Sequence, residues 1–320
     1  MKFNIAYFES NSSKILYTLV VLLLGLLTLE RFAMAFSYND ALEGFDNNFV
    51  YPVIRLLQGK GIYPDAESYP FVVNPYAPLL FYISFLSARL AGVNGEEVIQ
   101  VYYVTRTLCV LFDLATTAVL FRLLYRKLGA SRLLALSISV SYLFVINQWG
   151  FTFNRSDSLV LLLFACFLWQ LVTCLEKRSV KSLVLLATIC SMAILSKQTA
   201  IVTPVIAGAV LLWQKEWKQF LLFTVSFLLI LTLFLLTIFT LGPDEHLFQH
   251  LVRAVSNQVD IRWFYTNVFK ILVNNYAILP LLIAVFIALR QIATPNGERV
   301  FTALSVAHLI TTVFTLGIAT

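Results

Sequence analysis

Apolar stretches of about 20 residues recur along the whole 320-residue chain, and this recurrence constrains the fold more than any other feature. A helix of that length crosses a hydrocarbon core of ~30 Å while satisfying its own backbone hydrogen bonds. The runs lie near 15–36, 101–125, 132–149, 156–175, 180–196, 199–214, 218–241, 268–289 and 300–319, so about nine membrane-spanning helices are predicted. Charged residues make up only 12% of the chain, against the roughly 25% typical of soluble domains. An all-α, polytopic integral membrane protein is therefore expected, as one membrane domain over 1–320. A cytosolic enzyme, a secreted disulfide scaffold and a nucleic-acid binder are excluded. Cys109, Cys166, Cys174 and Cys190 sit within or at the ends of apolar runs without CxxC spacing, and read as packing residues. Lys2, Lys14 and Ala33-Met34-Ala35 imitate a signal peptide, but Glu30 and Arg31 interrupt that pattern, so the first run reads as a span. The last run ends at Thr320 with no closing charge, as in a chain that lacks a C-terminal part.

Charge sets the expected orientation. The connections carrying Arg122, Arg126, Lys127 and Arg132, then Lys177, Arg178 and Lys181, then Lys215 and Lys218, then Arg290 and Arg299, are short and basic, and they alternate with the others. Such loops are cytoplasmic by the positive-inside rule. Span 101–125 then runs inward, so a cytoplasmic N-terminus requires that the shorter stretch 75–92, with Pro75 and Pro78 at its start, does not cross. It becomes an interfacial or re-entrant helix on the outer face. On this assignment 13 of the 23 basic residues and 4 of the 17 acidic residues lie inside. A rival arrangement has ten crossings and an outer N-terminus; the acids Asp40, Glu43, Asp46, Asp65 and Glu67 of the 37–74 segment favour nine.

Two outer connections are long, 37–100 and 242–267. In the second, Leu247, Phe248, Leu251, Val252 and Val255 form a helical apolar stripe opposite His250, Arg253 and Asn257, as in a helix lying on the membrane surface. Glu245, His246 and His250 offer an i, i+4 histidine pair that a divalent cation could use, yet no third ligand stands at a convincing spacing, so no cofactor is expected. In the first, a short helix is predicted from Pro52 to Gln58, stopped by Gly59 and Gly61, with Asp46 just before it as a candidate cap. Arg106 and Asp113 are seven residues apart on one helix face, with Asp113 near mid-span, where an acid is costly and suggests function or packing against another helix.

The order of motifs resembles the type C glycosyltransferases, the superfamily of mannosyltransferase and aminoarabinose-transferase-like enzymes. An acid follows the first span; Gly59 and Ile62-Tyr63-Pro64-Asp65 come next, then Tyr76-Ala77-Pro78-Leu79, and then Arg106 heads the second span. Tyr125-Arg126-Lys127-Leu128-Gly129 precedes the third span, Asn154-Arg155-Ser156-Asp157 opens the fourth, and Leu195-Ser196-Lys197-Gln198 closes the fifth. The resemblance covers about residues 15–215. Two departures stand out: Asn74-Pro75-Tyr76 replaces a common Lys-Pro-Pro, and Ser196-Lys197-Gln198 a common Thr-Lys-Gly.

The resemblance implies a sugar taken from a polyprenyl-phosphate donor on the non-cytoplasmic face of the plasma (inner) membrane, with membrane lipids as surroundings and a lipid, glycan or protein acceptor. It gives Asp46 the role of base, with Asp40 as the alternative, and makes Asp157 the second acid of the site. Lys197 and Arg155 fall to the donor phosphate, and Arg106 and Tyr76 to substrate binding. Each has a plainer reading: Asp157 as partner of a helix dipole, Lys197 snorkelling to the interface, and Arg155 anchoring its helix. A carrier or flippase is the competing class, and it would place its ionisable groups at broken helices near the midplane. A third is a non-catalytic assembly protein of the same fold.

Overall fold

The structure, a computed structural model, describes residues 5–37, 43–65, 67, 74, 76–148, 156–241, 246–247 and 249–250, of which 5–13 and 43–47 among others by backbone alone. The described elements are helical: α1 (Ile5–Phe36), α2 (Glu43–Leu57), α3 (Leu79–Leu90), α4 (Val98–Arg122), α5 (Arg132–Gln148), α6 (Asp157–Lys177), α7 (Val180–Ser196), α8 (Val202–Trp213) and α9 (Trp217–Leu241). Segments Lys14–Phe36, Val98–Lys127, Asp157–Lys177 and Trp217–Ile238 are each long and apolar enough to cross a membrane. At 17 residues each, α5 and α7 reach about 26 Å, near the lower limit for a span. The predicted spans 268–289 and 300–319 lie outside the described residues. α3 and α8 have 12 residues each, about 18 Å, short of a hydrocarbon core; α8, predicted as the span 199–214, gains four more residues from the turn Gln198–Ile201 before it.

Ion pairs sort the bundle into two ends. At one, Lys127 of the α4–α5 turn pairs with Glu176 of α6, and Arg178 of the α6–α7 turn pairs with Glu216 of the α8–α9 turn at 2.8 Å. These are basic connections of the sequence analysis, brought together. At the other, Asp157 at the start of α6 meets Lys197 at the end of α7. α2 and α3 pack over that second end. One apolar cluster joins Phe49, Val50 and Val53 of α2, Leu80 and Phe81 of α3 and Val101 of α4 to Leu159 of α6 and to Ala193 and Ala200 on either side of Lys197. A second cluster joins Phe167 and Leu171 of α6, Leu186 of α7, Ile206 of α8 and Phe223 of α9.

The outer faces of α1 and α9 stay apolar and uncovered, with Leu22, Leu26 and Leu29 on α1 and Leu221, Leu228 and Leu236 on α9 each more than half exposed. In water such stripes would drive aggregation; against lipid they are ordinary.

The second helix differs from its prediction. α2 begins at Glu43, and Pro52 lies inside it. Proline at a first helical position is a common start signal, but here the buried face Phe49-Val50-Val53 outweighs the hydrogen bond that Pro52 omits. Asp46 is thus the fourth residue of the helix, a turn past the cap position it was expected to fill. Gly59 ends α2 as predicted, at φ +73°, a conformation that suits glycine.

A candidate glycosyl-transfer site at one end of the bundle

Asp157 and Lys197 occupy complementary helix ends. The Asp157 carboxylate is the first residue of α6, at the positive end of its dipole. α7 stops at Ser196, and Lys197 is extended, at φ −158° and ψ 130°, before a 3-10 turn, Gln198–Ile201, leads into α8. That break places the ammonium at the negative end of α7. The two groups meet at 2.7 Å, each 32% exposed. A pair this accessible contributes only about 0–1 kcal/mol to stability. Stability is therefore a poor explanation for pairing these two residues here. Sequence analysis put both residues on one face but gave them separate tasks; their direct pairing could not be read from either motif.

α2 brings the third candidate to this end. Asp46 lies in α2 one turn before Phe49 and Val50 and two before Val53. Those three residues share a cluster with Leu159, two residues after Asp157, and with Ala193 and Ala200. Asp40 and Arg155 lie outside the described residues.

Tyr76 also belongs to this end. Its carbonyl accepts from the Tyr63 hydroxyl at 2.7 Å, its N–H donates to Asn74 Oδ1 at 3.3 Å, and its side chain packs on the α2–α3 cluster. Arg106 is nearly buried, donates from Nη1 to the Ser37 carbonyl at 2.8 Å, and lies over the Tyr102 ring. The structure thus shows Arg106 gripping the end of α1.

Asp113 is not isolated at mid-span. It pairs with Arg31, whose Nε and Nη2 donate to Oδ2 at 3.1 and 2.8 Å, while Nη1 donates to the Ile146 carbonyl. Both side chains are fully buried. Arg31 is five residues from the end of α1, Ile146 two from the end of α5, so Asp113 is level with the ends of those helices. The first turns of α4 project further and carry α2 and α3. Beside this pair, Asn147 donates to Glu30 at 2.9 Å. The sequence signal for it was available: an intramembrane acid and an arginine in another apolar run, neither tolerable alone.

His250 requires a correction. It was expected on the polar side of a surface helix; it is fully buried, with its ring against Tyr63. Asn74 N–H donates to Nδ1 at 2.9 Å, so Nε2 carries the proton and donates to the Pro64 carbonyl. Both nitrogens are engaged with the first loop, which leaves neither for a metal. Leu247, of the predicted apolar stripe, joins the cluster under the first loop, while Phe248, Leu251, Val252 and Val255 lie outside the described residues. His250→Phe keeps the ring but orphans two backbone groups, and should lower unfolding free energy by about 2–4 kcal/mol; thermal unfolding in detergent checks this, with His250→Asn expected to lose less because its carbonyl still accepts from Asn74.

The four cysteines are free. Among the described residues no three His, Cys, Asp or Glu side chains gather as a metal site would need.

Comparison with known proteins adds the family. No curated protein matches the chain. The family model described as dolichyl-phosphate-mannose-protein mannosyltransferase matches residues 74–241, more than half of the chain, from Asn74 of the first loop through α9. Tyr76, Arg106, Asp157 and Lys197 fall inside that stretch, and Asp46 precedes it. With a helical membrane bundle and this match, the chain belongs to the dolichyl-phosphate-mannose-protein mannosyltransferase family of type C membrane glycosyltransferases.

Proposed function

We propose that the protein transfers a sugar from a polyprenyl-phosphate donor to an acceptor hydroxyl at the non-cytoplasmic face of the membrane, through a site formed by Asp46, Asp157 and Lys197. The observation that carries this reading is the Asp157–Lys197 pair, one-third exposed at the helix ends beneath α2 and α3. A prenyl phosphate entering from the bilayer presents its anion at headgroup depth, where a helix-end cation meets it. The acceptor oxygen attacks the anomeric carbon while the bond from that carbon to the phosphate oxygen breaks. Asp46, with Asp40 as the alternative, takes the hydroxyl proton, and the polyprenyl phosphate departs as an anion. Lys197, with Arg155 two residues before Asp157, stabilises that anion; charge-assisted contacts suit a leaving group that gains charge. Asp157 holds Lys197 in place and orients the acceptor, and Tyr76 lines the approach. The family description makes dolichyl-phosphate mannose the first donor to try and a protein hydroxyl the first acceptor.

The carrier reading is less well supported. Arg31–Asp113, the one fully buried ion pair among the described residues, is enclosed by protein and backbone partners, where a carrier's ionisable groups line an opening path.

The basic connections at the opposite end support this sidedness. Single cysteines introduced at 46 and 157 should react with an impermeant thiol reagent from outside, and one at 128, in the α4–α5 turn, should not. Labelling at 128 but not at 157 would invert the assignment. For activity, mass spectrometry of membrane glycolipids and glycoproteins with and without the protein should show a donor that accumulates and a glycosylated product that disappears when the protein is removed. Identical profiles in both would count against the enzyme reading.

A further inference from the structure

We infer that Arg106 and Asp113 of α4 are positioning residues that clamp the last turns of α1, fixing both the entry of the chain into α2 and the start of α6. The inference rests on the proposed site, since it concerns how Asp46 and Asp157 are held.

α1 and α4 lie side by side, and two contacts join them. Arg106 reaches the Ser37 carbonyl and Asp113 reaches Arg31. The contacts are seven residues apart on α4 and six apart on α1, about 10 Å and 9 Å along antiparallel helices, so they form two rungs of one clamp. Each suits its place. Arg106 brings a cation to the carbonyl end of α1, where helical carbonyls lack partners. Arg31 and Asp113 are both fully buried and pair their opposite charges.

The clamp adds polar rungs to the apolar contacts of α1, which run through Ala35 to Cys109 and Val110 of α4 and through Leu27 to Val140 and Leu143 of α5. Five residues, 38–42, separate Ser37 from α2, and Asp46 is four residues into that helix. α2 is fastened from the other side by Phe49, Val50 and Val53. The placement of its first turn therefore depends on where α1 ends.

The same node reaches the second acid. Asp113 Oδ1 and the Ser158 and Tyr142 hydroxyls are all buried, and both hydroxyls face the Asp113 carboxylate. Ser158 is the residue after Asp157. One carboxylate on α4 thus touches α1 directly, faces α5, and abuts the residue next to Asp157.

The test must separate positioning from folding. Removing one member of a buried ion pair strands the other, whereas replacing both by apolar residues of similar size is often tolerated. The variant is therefore the double substitution Arg31→Met with Asp113→Leu, compared with wild type in two measurements. The first is the distance between spin labels at exposed positions 48 on α2 and 201 beside Lys197, with Cys166 replaced because it is the one native cysteine not fully buried. The second is turnover with dolichyl-phosphate mannose beside affinity for that donor. The clamp predicts a folded protein with a shifted or broadened distance and a kcat at least about 10-fold lower, with donor affinity within about twofold because Lys197 is untouched. An unchanged distance distribution would overturn the inference whatever the activity. Wild-type protein without transferase activity would sink the proposed reaction, while the distance comparison would still decide the clamp. Arg106→Met should shift the same distance; no shift there would remove the outer rung.

Discussion

Asp46→Asn is expected to lower sugar transfer by about 10²-fold or more while the protein folds and inserts normally. The substitution keeps size and shape and removes the proton acceptor. Asp46 is in the first turns of α2, away from the cap position, so no capping bond is lost, and the helix is held by Phe49, Val50 and Val53 instead. Donor affinity should be nearly unchanged, since the prenyl phosphate is assigned to the α6–α7 end. Steady-state transfer with a purified variant, alongside donor binding, measures both. Wild-type turnover in Asp46→Asn with a collapse in Asp40→Asn would move the base to Asp40; normal turnover in both would remove the carboxylate base from the mechanism.

The second large effect concerns Lys197. Its contact with Asp157 is too exposed to matter much for stability, so Lys197→Gln should leave the unfolding temperature close to wild type. If the ammonium stabilises the departing phosphate, it acts more strongly in the transition state than on bound donor. The barrier should then rise by about 2–4 kcal/mol, while donor binding weakens less. A lysine that only anchors its helix at the interface predicts almost no change in kcat, because glutamine also tolerates that depth. Asp157→Asn separates the carboxylate's contribution: with the ammonium still present but no longer held by an ion pair, the loss in kcat should be smaller than in Lys197→Gln.

Much of this architecture was legible in the chain, and the illegible parts share a cause. Membrane character, the break at Ser196-Lys197 and the stop at Gly59 follow from local pattern, because apolar length and turn residues act locally. The common location of Asp157 and Lys197 also followed, from the alternation of basic loops. What local pattern could not show were contacts between distant segments. Arg31 read as an interruption in an apolar run until its partner proved to lie 82 residues away. Pro52 signalled a helix start, overruled by burial of the α2 face. His250 fell on the polar side of an amphipathic stripe, and a pair of backbone groups in the first loop drew it inside. In each case a tertiary partner reversed a sound local rule.

Basic turns gather at one end, where Lys127–Glu176 and Arg178–Glu216 tie neighbouring turns together. The other end carries the single exposed pair among the described residues that links two helix ends under the α2–α3 layer. A donor anion there would meet Lys197 without crossing the apolar cluster that seals the bundle below it.

The central claim is that this site cleaves a polyprenyl-phosphate sugar and passes the sugar on. Protein reconstituted in proteoliposomes with dolichyl-phosphate mannose and a hydroxyl-bearing peptide tests it directly, by counting released polyprenyl phosphate against glycosylated peptide. The account predicts one phosphate released per sugar transferred by wild type, and neither product above background from Asp46→Asn. Donor that moves across the bilayer intact, with no polyprenyl phosphate released, would contradict it.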